Sequence, residues 1–384
     1  MLEKLVNLIS VFILIFSFDL ICPIICFCQV QNEKAILFYN EAIDHYRAKN
    51  FSEALNLYSK AIVEDPEYIN AYYNRANLYM RMEDYKSALA DYNSVLRLDP
   101  EIAKAWLYKG VAELKMNEDR KALKSFGKAL KLDESLELAW EQIALIQLKH
   151  ESFESAIENL SKAIELNPAN PNHFYNRAAA NYSLKDYTNA IEDFTKALRI
   201  REEKEWYVAR GKAYLAIGDV DNALVDFERT DFRNEGNPNL SRLLINSYLE
   251  KKDTVRSLEE LNHFLKLNDS DIEMRNLRAY LSMQTQDYRQ AIDDYSFLIQ
   301  KFPSDPNHVL NRGIARVLLE YNDSALEDFN AVIALKPDFA EAYFNRAGVL
   351  VALGEQEKAC EDMRQAAKLG FASAFDHIKS LCRQ

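Results

Sequence analysis

Proline recurs along this chain on a fixed interval, and that interval limits the fold more than any other feature. After Pro23 the prolines are Pro66, Pro100, Pro168, Pro171, Pro238, Pro303, Pro306 and Pro337. Pro66 and Pro100 are 34 residues apart, as are Pro303 and Pro337, and Pro238 and Pro306 are separated by twice that. A 34-residue period sets repeat starts at Ala35, Ile69, Ala103, Glu137, Pro171, Lys204, Pro238, Ile272, Pro306 and Ala340, with one step a residue short. Every one of these prolines then falls at position 1 or 32 of its repeat. Proline breaks a helix interior but suits a first turn or a connection, so the spacing predicts helices between these points. Glycine is as scarce as proline, nine of each in 384 residues, which disfavours an all-β fold with its frequent turns.

Other columns keep the same period. Position 8 is small, as in Ala42, Ala76, Gly110, Ala178, Gly211, Gly313 and Ala347, and position 20 is Ala in nine of the ten repeats, with Ser257 in the other. Position 24 is bulky, as in Tyr58, Tyr92, Phe126, Phe194, Phe227, Tyr295 and Phe329. A small residue facing a large one lets two antiparallel helices interlock.

Small residues at 8 and 20, an aromatic at 24 and proline at 32 on a 34-residue period resemble the tetratricopeptide repeat. The likeness covers residues 35–371 as ten repeats and is plain in stretches such as Tyr73 to Pro100. The resemblance implies an all-α fold: a right-handed superhelical solenoid of paired helices, whose first helices line a concave groove. Residues 372–384 would then form a capping helix over the last repeat, which has no neighbour to cover it. The repeat beginning at Pro238 departs most, with Ile245, Ser257 and Phe264. With the connection from Asp231 to Asn237 it reads as a local change in stacking and a hinge, or as a merely degenerate repeat.

The repeats also serve as an internal alignment. Position 7 is arginine in Arg75, Arg177, Arg210, Arg278, Arg312 and Arg346, and in those six repeats position 23 is Asp91, Asp193, Asp226, Asp294, Asp328 and Asp362. The four repeats without the arginine carry Leu57, Ser125, Asn159 and Glu260 there instead. Such pairing predicts a guanidinium fork holding a carboxylate across each hairpin, a scaffold contact and not a ligand contact.

Positions 2, 5, 6, 9, 12 and 13 share one helix face, which the resemblance places in the groove. Position 6 is Asn in Asn40, Asn74, Asn176, Asn311 and Asn345, and Asn77 stands at position 9. Each amide offers a donor and an acceptor, so such a ladder can hold an extended peptide backbone without reading its sequence. Position 13 is Arg47, Arg81, Lys115 and Lys149 in the first four repeats and loses its positive charge afterwards, unlike a general preference for cations at helix ends. The expectation is a protein or peptide ligand, acidic segments included, with Tyr39 and Tyr73 gripping its side chains. The carboxylate clamp of the chaperone-tail-binding subfamily is absent, because Tyr108 stands where it needs a second Asn.

The first 28 residues are of another kind. Leu5 to Phe18 is nearly all apolar behind Lys4, Asp19 interrupts, and Leu20 to Cys28 is apolar again. This reads as a signal peptide cut before Gln29, or as an uncleaved membrane anchor, with 29–34 as linker. Either way the chain is expected to be exported: periplasmic, in the cell envelope, or secreted, with membrane contact only through that segment if it is retained. Three of the five cysteines lie there; Cys360 and Cys382 remain, and two buried thiols are the favoured reading over a disulfide.

Catalysis finds no support in the sequence. The six histidines are scattered without metal-ligand spacing, no glycine-rich phosphate loop or nucleophile elbow occurs, and the repeats leave no room for a catalytic domain. No cofactor and no metal are expected. A net charge of −12 argues against nucleic acid. The function that fits is a non-catalytic adaptor for peptide segments, the alternative being a structural subunit of an envelope-associated assembly.

Overall fold

The computed structural model describes residues 33–230 and 237–382. Among them there are 21 helices and no strand. The signal or anchor segment and the 231–236 part of the suggested hinge lie outside the described residues.

The chain forms two compact units, divided within α11 at Trp206 and Tyr207. In the first unit, α1 (33–47) pairs with α2 (Phe51–Glu64), α3 (Ile69–Arg81) with α4 (Tyr85–Leu98), and α5 (Ala103–Lys115) with α6 (Asp119–Leu132). Two further pairs follow, α7 (Glu137–Lys149) with α8 (Phe153–Leu166) and α9 (Pro171–Ser183) with α10 (Tyr187–Ile200). The second unit runs from α11 (Lys204–Ala216) and α12 (Val220–Glu228) through α13 (Pro238–Glu250) and α14 (Thr254–Leu267) to α15 (Ile272–Gln284) and α16 (Tyr288–Lys301). It ends with α17 (Pro306–Leu318) and α18 (Asn322–Leu335), α19 (Ala340–Ala352) and α20 (Gln356–Lys368), and a last helix, α21 (Ala372–Leu381). Within each unit, the second helix of a hairpin packs on the first helix of the next.

Each turn inside a hairpin uses one left-handed residue at position 15. Lys49, Glu83, Asn117, Glu151, Lys185, Lys252, Gln286 and Glu320 have φ between 57° and 65°, and Gly218 and Gly354 take the same place. The next amide reaches back to the carbonyl five residues earlier, as in Asn50 to His45 at 2.8 Å and Asp84 to Tyr79 at 2.9 Å, closing the end of the first helix. The aspartates that follow at Asp84, Asp186, Asp219, Asp253 and Asp287 then accept a backbone N–H and cap the second helix.

The core follows the small-against-large columns. Ala54, Ala88, Ala122 and Phe126 are fully buried. A Cβ on Gly110 would lie 2.7 Å from the ring of Phe126, and one on Gly313 2.7 Å from Phe329, so these first helices approach closer than alanine allows. In the divergent repeat, Ile245, Leu261 and Phe264 are buried together with Met274 and Leu281.

All six arginines fork their aspartates: Nε and Nη2 donate to the two carboxylate oxygens at 2.6 to 3.1 Å. In Arg75, Arg177, Arg278, Arg312 and Arg346, Nη1 also donates to position 25 of the preceding repeat: Ser59, Ser161, Asn262, Ser296 and Asn330. One guanidinium thus joins three helices. Where the arginine is missing, other pairs span the hairpin: Ser125 donates to Glu113, Asn159 to Gln147, and Ser241 to Glu260.

At the C-terminal end, α21 lays Ala374 and Ile378 on the last hairpin, and the rings of Phe371 and Phe344 meet at 4.8 Å. Here the reading of two free thiols is corrected. Cys360 on α20 and Cys382, just past α21, form a disulfide with their Cα atoms 5.5 Å apart. The return of α21 along α20 brings together two residues that are 22 apart in sequence.

Two pairs of substitutions test this packing by chemical denaturation. Arg177→Ala leaves Asp193, 3% exposed, with only the Lys196 ammonium at 3.9 Å, and should cost about 3 kcal/mol. Arg312→Ala should cost roughly half as much, because Arg316 also reaches Asp328 at 2.8 Å. Adding Asp193→Ala to Arg177→Ala should cost little more, and simple additivity would refute the coupling. Likewise Gly110→Ala should destabilise, since overpacking of about 1–3 kcal/mol exceeds the gain in helix propensity. Gly348→Ala, with open space around the new methyl, should stabilise by about 0.5–1 kcal/mol.

Candidate functional site

The face formed by positions 2, 5, 6, 9, 12 and 13 is best developed in the first unit. Its floor is apolar or aromatic, with Ile43, Met80, Leu114 and Leu148 each half-buried. Its edge carries the basic residues at position 13.

The tyrosines are mostly committed to the structure. Tyr39 packs its ring against Tyr58 and Tyr68, at 5.9 and 5.0 Å, and its hydroxyl accepts from Asn74 Nδ2 at 2.8 Å. Tyr73 meets Tyr92 and Tyr108 edge-on at 6.1 and 6.4 Å. Burial pushes the Tyr73 phenol up to about 12 and that of Tyr58 to about 12, so both stay protonated donors. These rings form a seam between hairpins, in which Tyr58 and Tyr92 are buried and Tyr39, Tyr73 and Tyr108 half-buried. A pocket beside Tyr73, lined also by Ile69, Asn70, Ile102, Ala103 and Lys104, opens where two hairpins meet.

The asparagines fall into two groups. Asn74 is bonded to Tyr39, Asn77 Oδ1 accepts from Tyr92 Oη at 2.7 Å, and Asn345 donates to the carbonyl of Glu341 at 2.9 Å. Asn40 is exposed, Asn176 and Asn311 are half-buried, and none of these three side chains has a hydrogen-bond partner among the described residues. Asn311 and Asn345 belong to the second unit, the others to the first.

The four basic residues differ as well. Arg81 sits over the Phe51 ring at 5.0 Å and the Tyr46 ring at 6.0 Å, so it ties its hairpin to the one before. Lys149 Nζ is 2.8 Å from Asp119, which also meets His150 Nε2 at 3.0 Å. The side-chain hydrogen bonds from Lys149 and His150 hold the Asp119 carboxyl below the usual range. Arg47 makes one loose contact, 3.5 Å to Asp44, with both side chains 76% exposed. Lys115 is exposed and has no ion-pair partner among the described residues. Arg47 and Lys115 are thus the members of the row most available to a ligand. The sequence reading missed the inter-hairpin partners Tyr46, Phe51 and Asp119, although recurrence at a separation of about one repeat was a usable signal.

No group of histidine, cysteine and carboxylate side chains suited to a metal ion occurs among the described residues. Among them, no helix is long and apolar enough to cross a membrane. The arrangement offers hydrogen bonds, apolar contact and positive charge along a repeated helix face.

This is a protein of stacked antiparallel helix pairs with a polar, basic-edged face. Profiles described as tetratricopeptide repeat match residues 69–102, 171–204 and 310–374, and one described as TPR repeat matches 44–83 and 151–185. The chain belongs to the tetratricopeptide-repeat family, whose members mediate protein–protein interaction. It is 27% identical over 143 residues to the heat shock protein sti1 homolog of Schizosaccharomyces pombe, covering 37% of this chain and 23% of that protein. It is 28% identical over 155 residues to human tetratricopeptide repeat protein 13, covering 39% and 18%. The match therefore spans less than a quarter of either relative. Among solved structures, the C-terminal part of a TPR repeat-containing protein from Cytophaga hutchinsonii aligns with a TM-score of 0.53 and 20% identity, over 62% of this chain and 97% of that one. That likeness concerns the fold.

Proposed function

We propose that this chain is a non-catalytic scaffold that holds an extended peptide segment of another protein along the first-helix face of its first unit. The observation that carries this reading is the exposed pair Arg47 and Lys115, on the same face as the unpartnered Asn40 amide, in a chain of net charge −12. An acidic stretch of peptide meets the cations, while the amides exchange hydrogen bonds with its backbone. Each exposed charge contact is worth under about 1 kcal/mol, so affinity rests on several acting together.

The chain acts in an exported location, in the cell envelope or beyond it. The apolar first 28 residues support this, and so does the disulfide between Cys360 and Cys382, a bond that persists in oxidising compartments.

Two experiments test these readings. Arg47→Ala with Lys115→Ala should remove most binding of a partner captured from cell-envelope extract, and should leave the melting temperature unchanged, because neither side chain packs. Asn311→Ala with Asn345→Ala, in the second unit, should bind like the parent. Binding should weaken steeply with salt, since exposed pairs are screened within about 10 Å at 0.1 M. A basic double variant that binds as tightly as the parent refutes the role of the row. For export, N-terminal sequencing of the protein from its native host should begin at or near Gln29, whereas intact Met1 in the membrane fraction would identify an anchor.

A further inference from the structure

The third hairpin carries a charge opposite to that of the chain as a whole. On α6, Arg120, Lys121, Lys124, Lys128 and Lys131 are all exposed, while Ala122, Phe126 and Ala129 on the other side are buried. At 3.6 residues per turn these five cations fall within an arc of about 100° and form one row about 16 Å long. One hairpin further on, α8 carries Glu154, Glu158 and Glu165 at the repeat positions of Arg120, Lys124 and Lys131, and these too are exposed; its one cation, Lys162, is exposed at the position of Lys128 and pairs with Glu165. At three matched positions, successive second helices of the same unit therefore bear opposite charge with identical spacing.

The two rows are not spent on each other. Among the described residues no ion pair joins α6 to α8. The contacts that exist are local: Lys121 with Glu118 at 2.9 Å, Lys162 with Glu165 at 2.9 Å, and Lys128 over the Trp106 ring at 3.9 Å.

We propose that the α6 and α8 rows form a self-complementary patch through which two copies of this chain associate. A two-fold axis running along the helices, between α6 and α8, sets α6 of one copy against α8 of the other and the reverse. Because the positions match, the register is kept: Arg120 meets Glu154 of the second copy, Lys124 meets Glu158, and Lys131 meets Glu165. The same six pairs form in total, three on each side of the axis. A broad polyanion such as an anionic membrane or a nucleic-acid duplex would press on the α8 glutamates as well as on the α6 cations, so it fits the surface less well. The contact is built from exposed charges, so the dimer is weak and salt-sensitive.

The test is sedimentation velocity on the full chain up to about 1 mM, where even a millimolar Kd would show. A dimer should form near 0.1 M salt and weaken toward 1 M, as the screening length falls from about 10 to about 3 Å. The triple variant Arg120→Glu, Lys124→Glu, Lys131→Glu should raise Kd about tenfold or more, and Glu154→Lys, Glu158→Lys, Glu165→Lys should do the same. Both should keep the parent's circular dichroism and melting curve, since the altered side chains are exposed. Mixed in equal amounts, the two variants should associate again, because each reversed row then faces its complement. A parent that stays monomeric at about 1 mM and about 0.1 M salt overturns the proposal, and so do a dimer indifferent to either triple variant and a mixture that fails to associate. Binding of phosphatidylglycerol vesicles or a DNA duplex by a chain that does not self-associate would overturn it in favour of an external polyanion.

Discussion

In six of the ten hairpins the arginine at position 7 is the polar tie that fixes how the helices sit on one another. It is anchored on the first helix of a hairpin, forks the aspartate of the second, and at Arg75, Arg177, Arg278, Arg312 and Arg346 also reaches the second helix of the hairpin before. Hydrophobic columns alone would let neighbouring hairpins slide along each other, since apolar contact is not directional. A planar group with fixed donor directions does not allow that. The aspartates are between 0% and 6% exposed, so each fork is also an obligation: without its arginine a buried carboxylate such as Asp91 is left an unpaired charge, while Asp294 and Asp328 keep a second arginine, Arg275 and Arg316.

The legible part of the fold was the part that repeats with the same letters. Ten copies expose the proline, alanine and aromatic columns and the linked change of Arg and Asp. The acceptor at position 25 escaped notice because the column alternates between hydroxyl and amide, as in Ser59, Ser161 and Asn262, and has no single letter. The left-handed residue at position 15 escaped for a related reason. Only Gly218 and Gly354 announce it, while lysine, glutamate, glutamine and asparagine adopt the same φ elsewhere, held there by the hydrogen bonds that close the helix. The disulfide was invisible because a 22-residue interval means nothing until α21 turns back along α20.

The site was legible as a set of positions but not as a set of free groups. Sequence places Arg47, Arg81, Lys115 and Lys149 in one column, and nothing in the column says that Arg81 lies over Phe51 or that Lys149 meets Asp119. Those partners belong to the preceding hairpin, and whether they are within reach depends on how hairpins stack. The same holds for Asn74, held by Tyr39. A residue that looks like part of a binding surface in one repeat is thereby a rivet between repeats in the next, and the surface open to a ligand is smaller than the column suggests.

The disulfide gives the array a direction in which it comes apart. Stacked repeats contact only their neighbours, so an array loses its ends first, where each hairpin is covered on one side. Here α21 covers α20, and the covalent loop from Cys360 to Cys382 removes chain entropy worth about 3 kcal/mol from any state in which that end is loose. Thermal fraying and proteolytic trimming therefore begin away from the C-terminus while the bond is intact. Reduction makes the last helix one more end to lose.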